Sequence, residues 1–249
     1  MGWSSKFEGL PRDIRIPDAG NLQGDRGDNG CLEFGEALVD TYAVIDFETT
    51  GLSPAHGARP TEIAVVLVRG TDIVDRFQSL MNPGVPIPPD IQAFTGITDA
   101  MVRRAPSIRQ VMGDAVRFAG GHPLVAHNAA FDRKFWESET SSFHPRAGAA
   151  FVCSLLLARR LFPNAPNHKL ATLVHMLRLP SGGRFHRALA DAECTAHLFI
   201  RLLNEITRTF QVRNLDCGLL QKMQTTHRLK LARCVERHCD ETAESLDAD

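Results

Sequence analysis

The chain has 249 residues, 43% of them hydrophobic and 23% charged, with a formal net charge of −1. These proportions exclude wholesale disorder and suit one medium domain with appendages. The near-zero charge excludes nucleic-acid binding by bulk positive potential, but not a local basic groove around an acidic site. No uncharged apolar run approaches the roughly 18 residues needed to cross a bilayer, and MGWSSKFEGLPRDIRIPD lacks the apolar core of a secretory signal. The expectation is a soluble, cytoplasmic protein with no membrane partner. Six scattered cysteines without a CxxC pair predict reduced thiols rather than a disulfide framework.

Residues 1–40 hold eight acids against four bases and are punctuated by Gly, Pro, Asp and Asn, as in GNLQGDRGDNG. This predicts a flexible extension, with a short helical turn over Leu32 to Leu38. Order begins at Thr41. YAVIDFE is apolar on both faces at its start, as a buried central strand requires. TEIAVVLVRG and TDIVDRFQSLMNP follow as two more strands joined by a Gly70-Thr71 hairpin turn, which gives an antiparallel meander. Pro89 to Phe94 reads as one helical turn ended by Gly96. Ser107 caps a helix running to about Ala119, where Gly120-Gly121 stops it. PLVAH (123–127) is a fourth, short strand and FDRKFWESE the helix after it. Further helices are expected at 153–162, 168–177 and 188–209. The order predicts an α/β fold, a mixed sheet covered by helices on both sides, over residues 41–209.

A tail, 210–249, carries Leu215, Leu219, Leu220 and Met223 at helical spacing, so one or two amphipathic helices are expected there. Bases outnumber acids by eight to three between 201 and 237, which makes the tail a candidate docking element, and the last dozen residues are acidic. QTTHRL (224–229) shares part of a sliding-clamp-binding peptide but lacks its aromatic end. Cys217, His227, Cys234, His238 and Cys239 have no familiar zinc spacing and are expected as scattered side chains on helices.

Three short stretches carry chemistry. Asp46 and Glu48 are two apart on a strand, so both side chains project from one face. Two anions crowded at a buried strand end repel each other and resist desolvation unless a cation neutralises them, and their hard oxygens select Mg²⁺ or Mn²⁺. Asp132, in His127-Asn128-Ala-Ala-Phe131-Asp132, falls at the start of the helix after the fourth strand, where the helix dipole favours an anion. His186 precedes Asp191 by five residues. Within one helix that spacing would put them on different faces, so Pro180 and Gly182-Gly183 place His186 in a loop and Asp191 near the start of the last helix. Taken singly, each stretch has an ordinary structural explanation: a solvated strand end, a first-turn acid with a core histidine, an inert loop histidine.

Taken together and in order, VIDFETTGLSP, HNAAFD and HRALADA resemble the three exonuclease motifs of the DnaQ-like, or DEDD, 3′–5′ exonuclease superfamily. The resemblance covers about residues 41 to 205, with weaker support from TGIT (95–98), Cys153-Ser154 and HKLATLVHML. His186, five before Asp191, is similar to the DEDDh subclass; the tyrosine subclass would want Tyr at position 187, where this chain has Arg. The resemblance implies a ribonuclease H-like fold and 3′–5′ hydrolysis of phosphodiesters to nucleoside 5′-monophosphates. It implies two Mg²⁺ or Mn²⁺ ions, one held by Asp46, Glu48 and Asp191 and a second by Asp46 and Asp132, and a proton acceptor at His186.

For substrate, the expectation places the terminal 3′-OH at Thr49, Thr50 and Gly51, and Leu52 as a wedge against the last base. Phe94, His127, Asn128, Phe131 and Leu170 are expected to line the nucleotide pocket, and Arg133, Lys134, Arg184 and Arg187 to be available to phosphate. Phe131 and Leu170 can equally be core residues and Asn128 a helix cap. The expected substrates are single-stranded or frayed 3′ ends of DNA, in proofreading or repair with a DNA polymerase subunit as partner. The alternatives are RNA trimming, in which the 2′-OH is the distinguishing group, and a catalytically silent module that only binds nucleic acid or polymerase.

Overall fold

The computed structural model describes residues 41–143, 150–182, 186–212 and 215–246. The expected extension over 1–40, its turn at Leu32 to Leu38, and Arg184 lie outside the described residues. Five strands form one sheet: β1 (Thr41–Thr49), β2 (Pro60–Arg69), β3 (Asp72–Leu80), β4 (Leu124–Ala126) and β5 (Phe151–Cys153), in the order β3-β2-β1-β4-β5. β1, β2 and β3 run antiparallel, while β4 joins β1 and β5 joins β4 in parallel. The meander therefore forms as its sequence predicts, with Gly70 at φ 60 in the hairpin turn. β5 is a correction to the sequence reading, which started a helix at 153.

The helices are α1 (Pro89–Thr95), α2 (Asp99–Val102), α3 (Ile108–Ala119), α4 (Ala130–Thr140), α5 (Ser154–Leu161), α6 (Leu170–Met176), α7 (Ala188–Phe210), α8 (Cys217–Thr225) and α9 (Leu231–Leu246). Ser107 caps α3 by accepting from Gln110 N, and Gly120 at φ 61 closes it. The two faces of β1 part company by strand alternation. Ala43, Ile45 and Phe47 pack against α3 and α4, with Met112, Phe135 and Trp136 fully or almost fully buried. Tyr42 and Val44 face the other layer, where α5, α6 and α7 contribute Leu157, Leu173 and Phe199. Beyond Val44 the same face continues as Asp46 and Glu48, so the apolar contact with α7 turns into a carboxylate pair at the strand's end.

The tail joins this second layer. Leu219, Leu220, Met223, Leu231 and Val235 are buried in the same core as α7. α8 also covers the outer edge of β5: Cys153 N donates to Gln224 Oε1 at 2.6 Å, and the amides of Gln221 and Gln224 each donate to Phe151 O at 3.3 Å. Side-chain amides thereby complete an edge that would otherwise expose backbone donors and acceptors. Arg160 of α5 fastens the end of α8 through Thr226 O at 2.9 Å. His238 pairs with Asp216 at 2.8 Å, and among the described residues the tail's cysteines and histidines form no metal-ligand group.

Candidate active site

β1 ends with Asp46 and Glu48 pointing at the first turn of α7, which carries Asp191. One carboxylate oxygen from each of these three residues lies within 4.8 Å of the others. Asp132, in the first turn of α4, reaches the same end of β1 without joining that close trio. Its Oδ1 accepts from Phe47 N at 3.2 Å. The reason lies in the sheet. Ala43 N donates to Pro123 O on the β4 side, and β4 stops at Ala126, so Phe47 N extends past the partner strand and takes a side-chain acceptor instead.

All four acids are held above the ordinary carboxylate range, and burial is the first cause for each. Asp46 is raised well above it, with the charges of Asp132, Asp191 and Glu48 adding to the effect. Glu48 is pushed up to about 8 by burial and then by Asp191 and Glu62, against a lowering by Arg187. Asp132 is also pushed up to about 8, opposed by the Phe47 hydrogen bond, and Asp191 is raised despite the donor at His186 N. Asp191 Oδ1 is buried and accepts no hydrogen bond among the described residues, while its Oδ2 accepts from His186 N at 2.9 Å. A buried anionic oxygen without a donor, beside two more carboxylates, fits a divalent cation in chemistry and in reach.

His186 is exposed, with its backbone in the left-handed region at φ 68, a conformation that costs a non-glycine residue about 1–2 kcal/mol. Its ring lies 3.9 Å from the Phe94 ring, centroid to centroid, at 35°. Phe94 is 54% exposed and Leu52 79% exposed. Leu52 borders a groove of about 340 Å³ that Val85 and Pro88 also line. The intervening turn is tied by its own hydroxyls: Thr49 Oγ1 donates to Gly51 O at 2.7 Å, and Thr50 Oγ1 accepts from Arg59 N at 2.9 Å. A Cβ on Gly51 would come 3.3 Å from Ala58 Cβ, so the turn has little room for a side chain there.

The other expected pocket residues divide. His127 has both ring nitrogens engaged, by Ser154 Oγ and by His168 O at 2.9 Å each, and burial drives its pKa down to about 4. It ties β4 to α5 and to the loop before α6 as a neutral ring. Asn128 is exposed at φ 70, and its side chain does not cap α4. Phe131 packs beside Phe135 at 5.1 Å, and Leu170 packs against the α7-side core. Arg133 is paired with Glu137 at 2.6 Å. The sequence reading overlooked Glu62, which is fully buried on β2 opposite Glu48 and bonded to Arg187. An acid inside the apolar run TEIAVVLV is the signal that could have pointed to it, since such a charge needs a partner.

Carboxylates gathered at the end of the central strand of a mixed sheet are the kind of ligand set that a metal-dependent hydrolase requires. The model of the exonuclease family RNase_T matches residues 43–199. The DNA polymerase III subunit epsilon of Aquifex aeolicus is 34% identical over 180 residues, covering 70% of this chain and 87% of that protein. A PolC-type DNA polymerase III of Bacillus cereus is 38% identical over 168 residues and 67% of this chain; the match spans only 12% of that polymerase. Among solved structures, exonuclease X in complex with 5′ overhanging duplex DNA superposes with a TM-score of 0.59 and 31% identity, over 74% of this chain and 99% of that one. The chain belongs to the exonuclease family, divalent-metal-dependent hydrolytic nucleases of the 3′–5′ type.

Proposed function

We propose that this chain removes nucleoside 5′-monophosphates one at a time from single-stranded or frayed 3′ ends of DNA. The observation that carries the reading is the convergence of Asp46, Glu48 and Asp191 within 4.8 Å, with the backbone of His186 bonded to the last of them. Asp46, Glu48 and Asp191 hold one Mg²⁺ or Mn²⁺, and Asp46 with Asp132 a second. When bound, these ions supply Lewis-acid stabilisation of the charge that develops on the phosphate and on the entering and leaving oxygens.

The residues of the chain do the rest. Thr49, Thr50 and Gly51 form a tightly tied turn that orients the terminal sugar, and Leu52 and Phe94 offer exposed apolar surface to the last base. His186 takes the proton of the attacking water on its ring, the general-base role that an imidazole can fill. The water oxygen bonds to phosphorus, the bond from phosphorus to the 3′ oxygen of the preceding nucleotide breaks, and that oxygen takes a proton from solvent to become the new 3′ hydroxyl.

DNA is favoured over RNA because the relatives just described are a DNA polymerase subunit, a DNA polymerase and a nuclease bound to DNA. The same names support a DNA polymerase subunit as the proposed partner. The test is side-by-side digestion of matched DNA and RNA oligonucleotides labelled at the 5′ end, single-stranded, paired and mispaired, with Mg²⁺, Mn²⁺ or chelator. Stepwise shortening of DNA from the 3′ end, faster at mispaired ends and absent with chelator, supports the reading. Preferential digestion of RNA, or binding without digestion in both metals, rejects it.

A further inference from the structure

One buried carboxylate at this end of the sheet stands apart from the acidic trio. Glu62 Oε1 accepts from Gln78 Nε2 at 2.8 Å and from Arg187 Nη2 at 2.7 Å, and its Oε2 accepts from Arg187 Nε at 3.0 Å and Ala188 N at 3.1 Å. A carboxylate has about four lone-pair sites, so protein donors saturate this one and leave it nothing for a cation. Three of the four donors belong to two consecutive residues that lead the chain into α7. Ala188 N is the first N–H of that helix, and Arg187 at the cap position gives it no side-chain acceptor. Glu62 closes the helix from β2 instead.

His186 immediately precedes this clamp. Its own N–H is bonded to Asp191 Oδ2, and the next side chain is bidentate on Glu62, so the residue is pinned between two carboxylates. A left-handed backbone at an exposed histidine persists only when its flanks over-determine it. We propose that Arg187, locked to Glu62, is a positioning residue that holds the His186 imidazole within reach of the attacking water, rather than a ligand of the substrate phosphates. This rests on His186 being the proton acceptor. Arg187 is 34% exposed, but its Nε and Nη2 are committed to a fully buried carboxylate, so a phosphate would have to compete with Glu62 for them.

The experiment compares wild type, His186→Ala, Arg187→Ala, Arg187→Lys and the double alanine variant. Each is assayed on a single-stranded DNA oligonucleotide and on the p-nitrophenyl ester of thymidine 5′-monophosphate, which has no neighbouring phosphate. Arg187→Ala should lower kcat about 10- to 100-fold on both substrates through misplacement of the base, with KM within about twofold. Arg187→Lys should recover only part of the rate, because a lysine cannot make the bidentate contact. In the His186→Ala background, Arg187→Ala should change kcat by less than about twofold, since the group it positions is gone. Mn²⁺ affinity, read by electron paramagnetic resonance, should change less than kcat does in the folded variant, since Arg187 is bonded to Glu62 and not to the acidic trio. A rise in KM confined to the oligonucleotide would overturn the proposal in favour of phosphate binding. So would an Arg187→Ala loss as large without His186 as with it. A wild-type rate in His186→Ala would refute the reading of His186 as base, and the proposal with it.

Discussion

Glu62 and Asp191 are both buried acids at the same end of the sheet, yet they are treated in opposite ways. Glu62 is bonded to four donors from β3 and the α7 approach, whereas Asp191 keeps one buried oxygen with no donor. A buried acid supplied with all its donors works as a fastener: it joins β2, β3 and α7. A buried acid short of donors, facing Asp46 and Glu48, raises the energy of the metal-free protein, and in the proposed function a divalent cation is the partner that relieves it. In the proposed function the neighbouring clamp fixes the approach to α7, and the crowded carboxylates give up their protons to a divalent cation.

The strongest way to break this contrast is to remove the acid at the centre of the cluster. Asp46→Asn should lower the hydrolysis rate by about 10³-fold or more, the loss of several kcal/mol of transition-state stabilisation, with Mn²⁺ binding correspondingly weakened. A turnover within tenfold of wild type would contradict the role given to Asp46. Changing the fastener should have another signature. Glu62→Ala leaves the buried Ala188 N–H without its acceptor and the partly exposed Arg187 guanidinium without its carboxylate, and should destabilise the fold by about 1–3 kcal/mol in chemical denaturation, with or without Mg²⁺. An unchanged midpoint would mean that the clamp holds nothing.

The smallest effect is the most diagnostic for the charge in the cluster. Glu48 and Asp132 are both pushed up to about 8, whereas unfolded carboxyls titrate near 4. The metal-free folded chain keeps protons that the unfolded chain has lost, so this contribution is complete below about pH 4 and disappears as pH rises through 8. His127, pushed down to about 4, acts in the opposite sense only below its unfolded value near 6.5. Between pH 7 and 9, therefore, the Tm of the metal-free protein should fall by a few degrees, and the rise produced by Mg²⁺ should grow. A metal-induced shift of equal size at both ends of that window would count against the raised values.

What the sequence made legible follows from the physics of each feature. Alternation put Asp46 and Glu48 on one face, glycines ended helices, and β1 to β3 formed the expected meander, because these are local rules. β5 escaped notice because three apolar residues directly before a helix have no period of their own. The Glu62–Arg187 pair escaped because its members are 125 residues apart and only the β1–β2 register brings Glu62 beside Glu48. His127 lay inside the motif that suggested a nucleotide pocket, yet its ring is used up by Ser154 and the His168 carbonyl. The tail's apolar spacing pointed to helices, where α8 and α9 lie, but could not disclose that Gln221 and Gln224 would close the edge of β5.

The central claim is that Asp46, Glu48 and Asp191 hold a divalent cation, and Mn²⁺ can be located directly by its anomalous X-ray scattering in crystals grown with the ion. The account predicts an anomalous peak within bonding distance of carboxylate oxygens from all three residues, Asp191 Oδ1 among them, and none at Glu62. Density at Glu62 instead, or a saturated crystal with no peak at the trio, would contradict it.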